Sequence, residues 1–249
     1  MKQASTLLIL VLFSTVLFAQ KNRGTSTEES TSTTSESKNY SDDEKLYRTA
    51  LEYGDLTVAK TAVYQMLADD PSRTDLLDTL TVLYFIQGAY GQSINLGEKV
   101  LENNASNLAI REIVAISYKN VNAVKEALGH FEKLYAGTQD IFFLYEIASM
   151  QFSLQRFGEC INSCDAILAS EKAAETKVSI NINQNQSQEV NIAAAVLNMK
   201  GFIAIEVNQL EAAAQNFNAA LEIEPEFVLP QANLQQLAKM QAEEGNATE

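Results

Sequence analysis

Histidine occurs once in the 249 residues and cysteine twice. A lone His130 rules out an HExxH zinc helix and any triad resting on several histidines, and Cys160 with Cys164 supplies neither a zinc-finger set nor a CxxC redox pair. Basic residues are also scarce, 18 against 32 acidic ones, for a formal charge of −14. Removing a leader that carries Lys2 takes −14 to −15, so nucleic acid and anionic membrane surfaces are repelled and a basic or neutral partner suits the chain better. No cofactor or metal is expected. What is abundant is apolar surface: 46% of residues are hydrophobic, too many for a chain that stays largely unfolded and enough for one or two packed domains.

Met1 to Ala19 carries Lys2, an apolar run from Leu7 to Phe18, and Ala19 ahead of Gln20, the layout of a secretory signal peptide cleaved after Ala19. The run is shorter than the roughly 20 apolar residues that span a bilayer, which disfavours an uncleaved anchor. No cysteine follows it, so lipid attachment is not expected and the chain should be exported, to the periplasm or beyond. The Phe18-Ala19-Gln20 junction resembles those of exported proteins of the Bacteroidetes. Residues 20–39 hold nothing apolar to offset the entropy of ordering and are expected to be a Ser/Thr/Glu-rich linker. Ser41 and Glu44 then form a capping-box pattern that starts the folded domain.

Along the rest of the chain a set of small and bulky residues recurs. Gly201 is followed at intervals of 12, 4, 3 and 5 residues by Ala213, Phe217, Ala220 and Pro225. Small residues let two helices approach, the aromatic fills the space beside them, and proline ends the second helix. The same offsets relate Tyr47, Ala59, Val63, Met66 and Pro71, then Thr81, Ser93, Gly97 and Val100 34 residues on. After another 34 come Ala115, Ala127, Phe131 and Leu134, and after 33 more Ala148, Cys160, Cys164 and Ile167. Gly54 and Gly88 fall in the expected turns between helices. This pattern resembles the tetratricopeptide repeat. The resemblance implies an all-α, right-handed solenoid of about five helical hairpins near residues 40–73, 74–107, 108–140, 141–172 and 194–227.

The fifth repeat is delayed: Ala148 and Gly201 are 53 residues apart, 19 more than the period. Within the delay Val178, Ile180 and Ile182 alternate with polar residues, as do Val190 and Ile192, so a β-hairpin insert is expected over 173–192 with its turn near Gln184 to Ser187. The segment around Gln188 to Gly201 is similar to exported repeat proteins of the Bacteroidetes. Residues 229–242 place Leu234, Leu237, Ala238 and Met240 on one face, a helix that would cap the last repeat, and 243–249 are expected to be a polar tail.

Few residues offer chemistry. Cys160 and Cys164 coincide with packing positions and are expected to be buried thiols; a disulfide between them would strain one helix. His130 has no sequence partner and is expected to be a lone surface or groove residue. Adjacent carboxylates such as Asp42-Asp43 and Glu243-Glu244 point to different sides and read as solubilising charge. Asn39, Asn104, Asn185 and Asn246 begin Asn-x-Ser/Thr triplets in expected loops or tails, without consequence for a bacterial chain. The resemblance implies instead a groove lined by the first helix of each pair. Its candidate lining is Asp78 and Phe85, Glu112 and Lys119, Tyr145 and Phe152, Asn198 and Phe202, acidic at one end and aromatic further in. Such a lining suits a protein or peptide with apolar and basic residues. The basic clamp of chaperone-binding members is missing, because the comparable positions hold Glu44, Arg48, Asp78, Val82, Glu112 and Ile116. The expected function is therefore a non-catalytic binding scaffold. A carbohydrate-binding accessory using the same aromatics and a module that self-associates through the hairpin strands are the alternatives.

Overall fold

A computed structural model describes residues 41–183 and 185–247. The expected signal peptide and the whole of the expected linker lie outside the described residues. The fold is all-α apart from one small sheet, and the chain divides into two compact units, one up to Gln92 and one from Ser93.

Eleven α-helices are described: α1 (Asp42–Glu52), α2 (Leu56–Asp69), α3 (Asp75–Ile86), α4 (Tyr90–Asn103), α5 (Leu108–Asn120), α6 (Val124–Thr138), α7 (Ile141–Ser153), α8 (Phe157–Leu168), α9 (Ile192–Glu206), α10 (Leu210–Ile223) and α11 (Val228–Ala247). Their starts are written in side chains. The Ser41 hydroxyl accepts from the Glu44 amide at 3.2 Å, and Asp55, Asn107, Asp140 and Asn191 satisfy first-turn amides of α2, α5, α7 and α9. Two of their ends are written in proline. Asp70 and Glu224 leave the helical region at φ −136° and −133° just before Pro71 and Pro225, since a residue preceding proline is crowded out of helical geometry.

The turn inside each pair is the same five times. Gly54, Gly88, Asn122, Gln155 and Asn208 all have left-handed backbone, with φ between 56° and 74°. In each, the amide of the left-handed residue and that of the next residue reach back to free carbonyls of the preceding helix. Asn122 and Ala123, for example, donate to Lys119 and Tyr118 at 3.1 and 2.9 Å. Glycine takes this conformation without steric cost, which explains Gly54 and Gly88.

The repeated small and bulky positions form the core. Ala59, Val63, Thr81, Ser93, Ala115, Ala127, Ala148, Cys160, Cys164, Ile167, Ala213, Phe217 and Ala220 are fully buried, and Phe131 and Leu134 are 1% exposed. Each large apolar side chain withdrawn this completely contributes about 1.5–3 kcal/mol. At Gly201 a β-carbon would lie 2.4 Å from Phe217 Cε1. What the missing side chain admits is the Phe217 ring itself, pressed against the backbone of α9.

In the second unit α5–α6, α7–α8 and α9–α10 are antiparallel hairpins stacked in order, with α11 against α10. The delay before the last hairpin is filled by a 3-10 turn (Glu171–Ala174) and an antiparallel ribbon of β1 (Lys177–Asn183) and β2 (Gln186–Asn191). Val178 pairs with Val190 and Ile180 with Gln188, with an irregularity between Asn181 and Asn183. Val178 and Val190 are buried against the helical core, while Ser179, Asn181 and Glu189 face water. Gln188 reaches further: its amide donates to the Glu226 carbonyl at 2.7 Å and accepts from the Val228 amide at 3.1 Å. β2 runs directly into α9, whose first residue is Ile192. Helix α11 continues to Ala247, beyond residue 242 and into the expected polar tail.

Candidate functional site

The candidate lining residues sit on the first helix of successive pairs. In the first unit, α3 carries Asp78, half-buried, and Phe85, only 9% exposed, whose ring meets Tyr90 edge-on at 5.9 Å.

In the second unit the candidates occupy α5, α7 and α9. Lys119 at the end of α5 is exposed and its ammonium lies 2.5 Å from the Glu146 carboxylate on α7. Glu146 is buried, so the pair holds two first helices together at their shared face. Glu112, two turns back on α5, is half-buried; burial and the Asp140 carboxylate push its pKa up. Tyr145 on α7 is half-buried, and burial pushes its phenol up to about 12, leaving it a neutral hydrogen-bonding aromatic at physiological pH. Phe152 at the end of α7 and Phe202 on α9 touch, with ring centres 6.4 Å apart. Phe152 also meets Phe157 at 6.0 Å and Phe202 stands perpendicular to Phe217 at 5.9 Å, so both rings lean on the core and keep one side partly open. Asn198 is different: it is buried and its carbonyl accepts from Asn233 of α11 at 3.0 Å.

The structure thus brings Lys119 with Glu146, and Phe152 with Phe202, into contact across neighbouring first helices. Sequence spacing did not single out Glu146; it is the residue after Tyr145, and a carboxylate 27 residues beyond Lys119 was the available signal.

His130 departs from expectation. It is 8% exposed rather than a surface group, stacked on Tyr118 with ring centres 5.5 Å apart, and its Nε2 lies 3.1 Å from Glu98 Oε1. The Tyr118 hydroxyl donates to the same carboxylate oxygen at 3.0 Å. Nδ1 is buried without a partner. Desolvation holds the imidazole below its ordinary pKa, against the opposing pull of Glu98. The 12-residue step from Tyr118 to His130 equals the Ala115–Ala127 packing step, which is the signal that would have placed them together.

Cys160 and Cys164 are free and fully buried, as the packing positions require. The neighbouring Cys160 thiol and burial push the Cys164 thiol up, so it stays protonated. Among the described residues no group of three or more His, Cys, Asp or Glu side chains could hold a metal ion, and no helix is long and apolar enough to cross a membrane.

No protein-family profile and no curated protein matches this chain. Solved structures do. One is described as "YrrB: a TPR protein with an unusual peptide-binding site", at 13% identity, 76% of this chain, 88% of that chain and a TM-score of 0.59. MamA AMB-1 is 17% identical over 76% of this chain and 94% of its own, with a TM-score of 0.56. A tetratricopeptide repeat protein from Parabacteroides merdae ATCC 43184 is 18% identical over 83% and 76%, with a TM-score of 0.56. These likenesses, at low identity, establish the tetratricopeptide-repeat fold.

Proposed function

We propose that this chain, built on the tetratricopeptide-repeat fold, is a non-catalytic scaffold that binds a protein or peptide along the first helices of its hairpins. The observation that carries the reading is the continuity of that face in the second unit. Lys119–Glu146 joins α5 to α7 and Phe152–Phe202 joins α7 to α9, and the half-buried Glu112, Tyr145, Phe152 and Phe202 all lie on these first helices. A segment with apolar side chains and a lysine or arginine complements that lining. The solved neighbour described as having a peptide-binding site supports this use of the fold. The leader at Met1 to Ala19 supports an exported scaffold working in the periplasm or envelope, and the charge of −14 argues against nucleic acid.

The test is capture from an envelope extract by the mature chain beside its Tyr145→Ala/Phe152→Ala variant. A bound protein that falls at least ten-fold with the variant, whose melting temperature moves by only a few degrees, upholds the reading. An unchanged catch, or a variant that loses binding only because it unfolds, refutes the groove assignment. Bound material that survives protease would indicate glycan, and a change in solution size on deleting 177–192 would indicate self-association. N-terminal sequencing of the chain from cell fractions tests export, with Gln20 as the expected first residue.

A further inference from the structure

Three sulfur atoms from two helices meet in the seam between the fourth and fifth hairpins. Cys160 and Cys164 stand one turn apart on α8, and Met199 on α9 brings its Sδ to 3.3 Å from Cys160 Sγ and 4.0 Å from Cys164 Sγ. Both cysteines are free, and four residues apart on one helix they are poorly placed to bond to each other.

We propose that Cys160, Cys164 and Met199 form a binding site for a soft monovalent metal ion, copper(I). Donor chemistry comes first: two thiols and a thioether select copper(I), while hard cations demand oxygen. Spacing comes second. Three sulfurs around a metal at bond lengths of about 2.3 Å, in a trigonal plane, are about 4 Å apart, so the observed separations need only small rotamer adjustments. The Met199 thioether completes a set of three sulfur donors. One copper(I) enters and two thiol protons leave to solvent, with no change of oxidation state: both cysteines bind as thiolates and the thioether as a neutral donor, and the cation offsets one of the two thiolate charges. The Cys160 thiol, 3.3 Å from the Ala148 carbonyl, surrenders only a weak hydrogen bond. Met199 is half-buried whereas both cysteines are fully enclosed, so the thioether edge is the way in.

The test is anaerobic titration of the reduced full chain with copper(I) supplied as its acetonitrile complex, in competition with bathocuproine disulfonate, followed by X-ray absorption of the loaded protein. The expected result is one copper per chain in an all-sulfur shell of three. Met199→Leu, which keeps the volume and is checked by circular dichroism, should weaken binding at least ten-fold, and Cys160→Ala/Cys164→Ala should abolish it. Complete loss of copper to the chelator overturns the proposal, as does a shell containing nitrogen or oxygen. Undiminished binding by folded Met199→Leu overturns it equally.

Discussion

The fourth and fifth hairpins solve one packing problem with different atoms. In the fifth, Gly201, Ala213 and Phe217 occupy the seam, and the phenyl ring lies on bare backbone where a β-carbon would come within 2.4 Å. In the fourth, Ala148, Cys160 and Cys164 hold the same places, and sulfur fills space that a ring fills elsewhere. The five side chains are fully buried, and Gly201 is buried with them. A repeat position therefore dictates volume and burial, and leaves the chemistry of the filling free to differ.

The largest expected break in that comparison is truncation at the equivalent bulky position. Phe217→Ala should cost about 3–5 kcal/mol, since a whole ring is lost from a closed site, whereas Cys164→Ala, one heavy atom smaller than wild type, should cost about 1 kcal/mol. Denaturant midpoints of the two variants check it; equal losses would mean that the seams do not differ. Next comes overpacking. Gly201→Ala should cost about 1–3 kcal/mol because Phe217 must move, and Gly201→Ala with Phe217→Leu should lose less than the sum of the two single variants. Additivity would show that ring and glycine are independent.

The turns sharpen the comparison at a smaller scale. Gln155 and Asn208 have matching left-handed φ of 57° and 56°. Asparagine tolerates that region better than glutamine, so Gln155→Gly should stabilise by about 1 kcal/mol and Asn208→Gly by less. Thermal melts that reverse this order would refute the account.

The smallest effect is a titration, and it belongs to the third hairpin rather than to either sulfur or phenyl seam. His130 faces Glu98 of α4 and Tyr118 of α5, with Arg111 of α5 and Lys133 of its own helix adding repulsion of the charged form. Its folded pKa is lowered, so the unfolded chain binds the proton more readily. Stability is fully present above the unfolded value of about 6.5 and declines as pH falls below it. His130→Gln should flatten that part of a stability–pH profile between about 7 and 5, while Phe217→Ala should leave its slope unchanged.

These particulars mark what could be read beforehand. The 34-residue recurrence places the hairpins and their buried positions, because burial at a helix seam repeats with the unit, and Gly54 and Gly88 declare their turns. Asn122, Gln155 and Asn208 adopt the same turn without glycine, so composition hides it. Candidate lining residues could be assigned to first helices by spacing, yet Asn198 is turned into a bond with Asn233 of α11, a helix outside the repeat register. His130 with Glu98, and Met199 with the cysteines, join residues 32 and 35–39 apart that no single repeat contains.

Gln188 has a consequence for how the second unit comes apart. In an array of repeats each member ordinarily feels only its immediate neighbours, so the terminal member can fray alone at little cost. The ribbon that follows the fourth hairpin grips the backbone at Glu226 and Val228, on the far side of the fifth. A tie that steps over one member converts two separate openings into a single cooperative event. Slow amide exchange should then extend through α10 at the rate set by α8 and α9, like the last page of a book held shut by a clasp fixed to an earlier leaf.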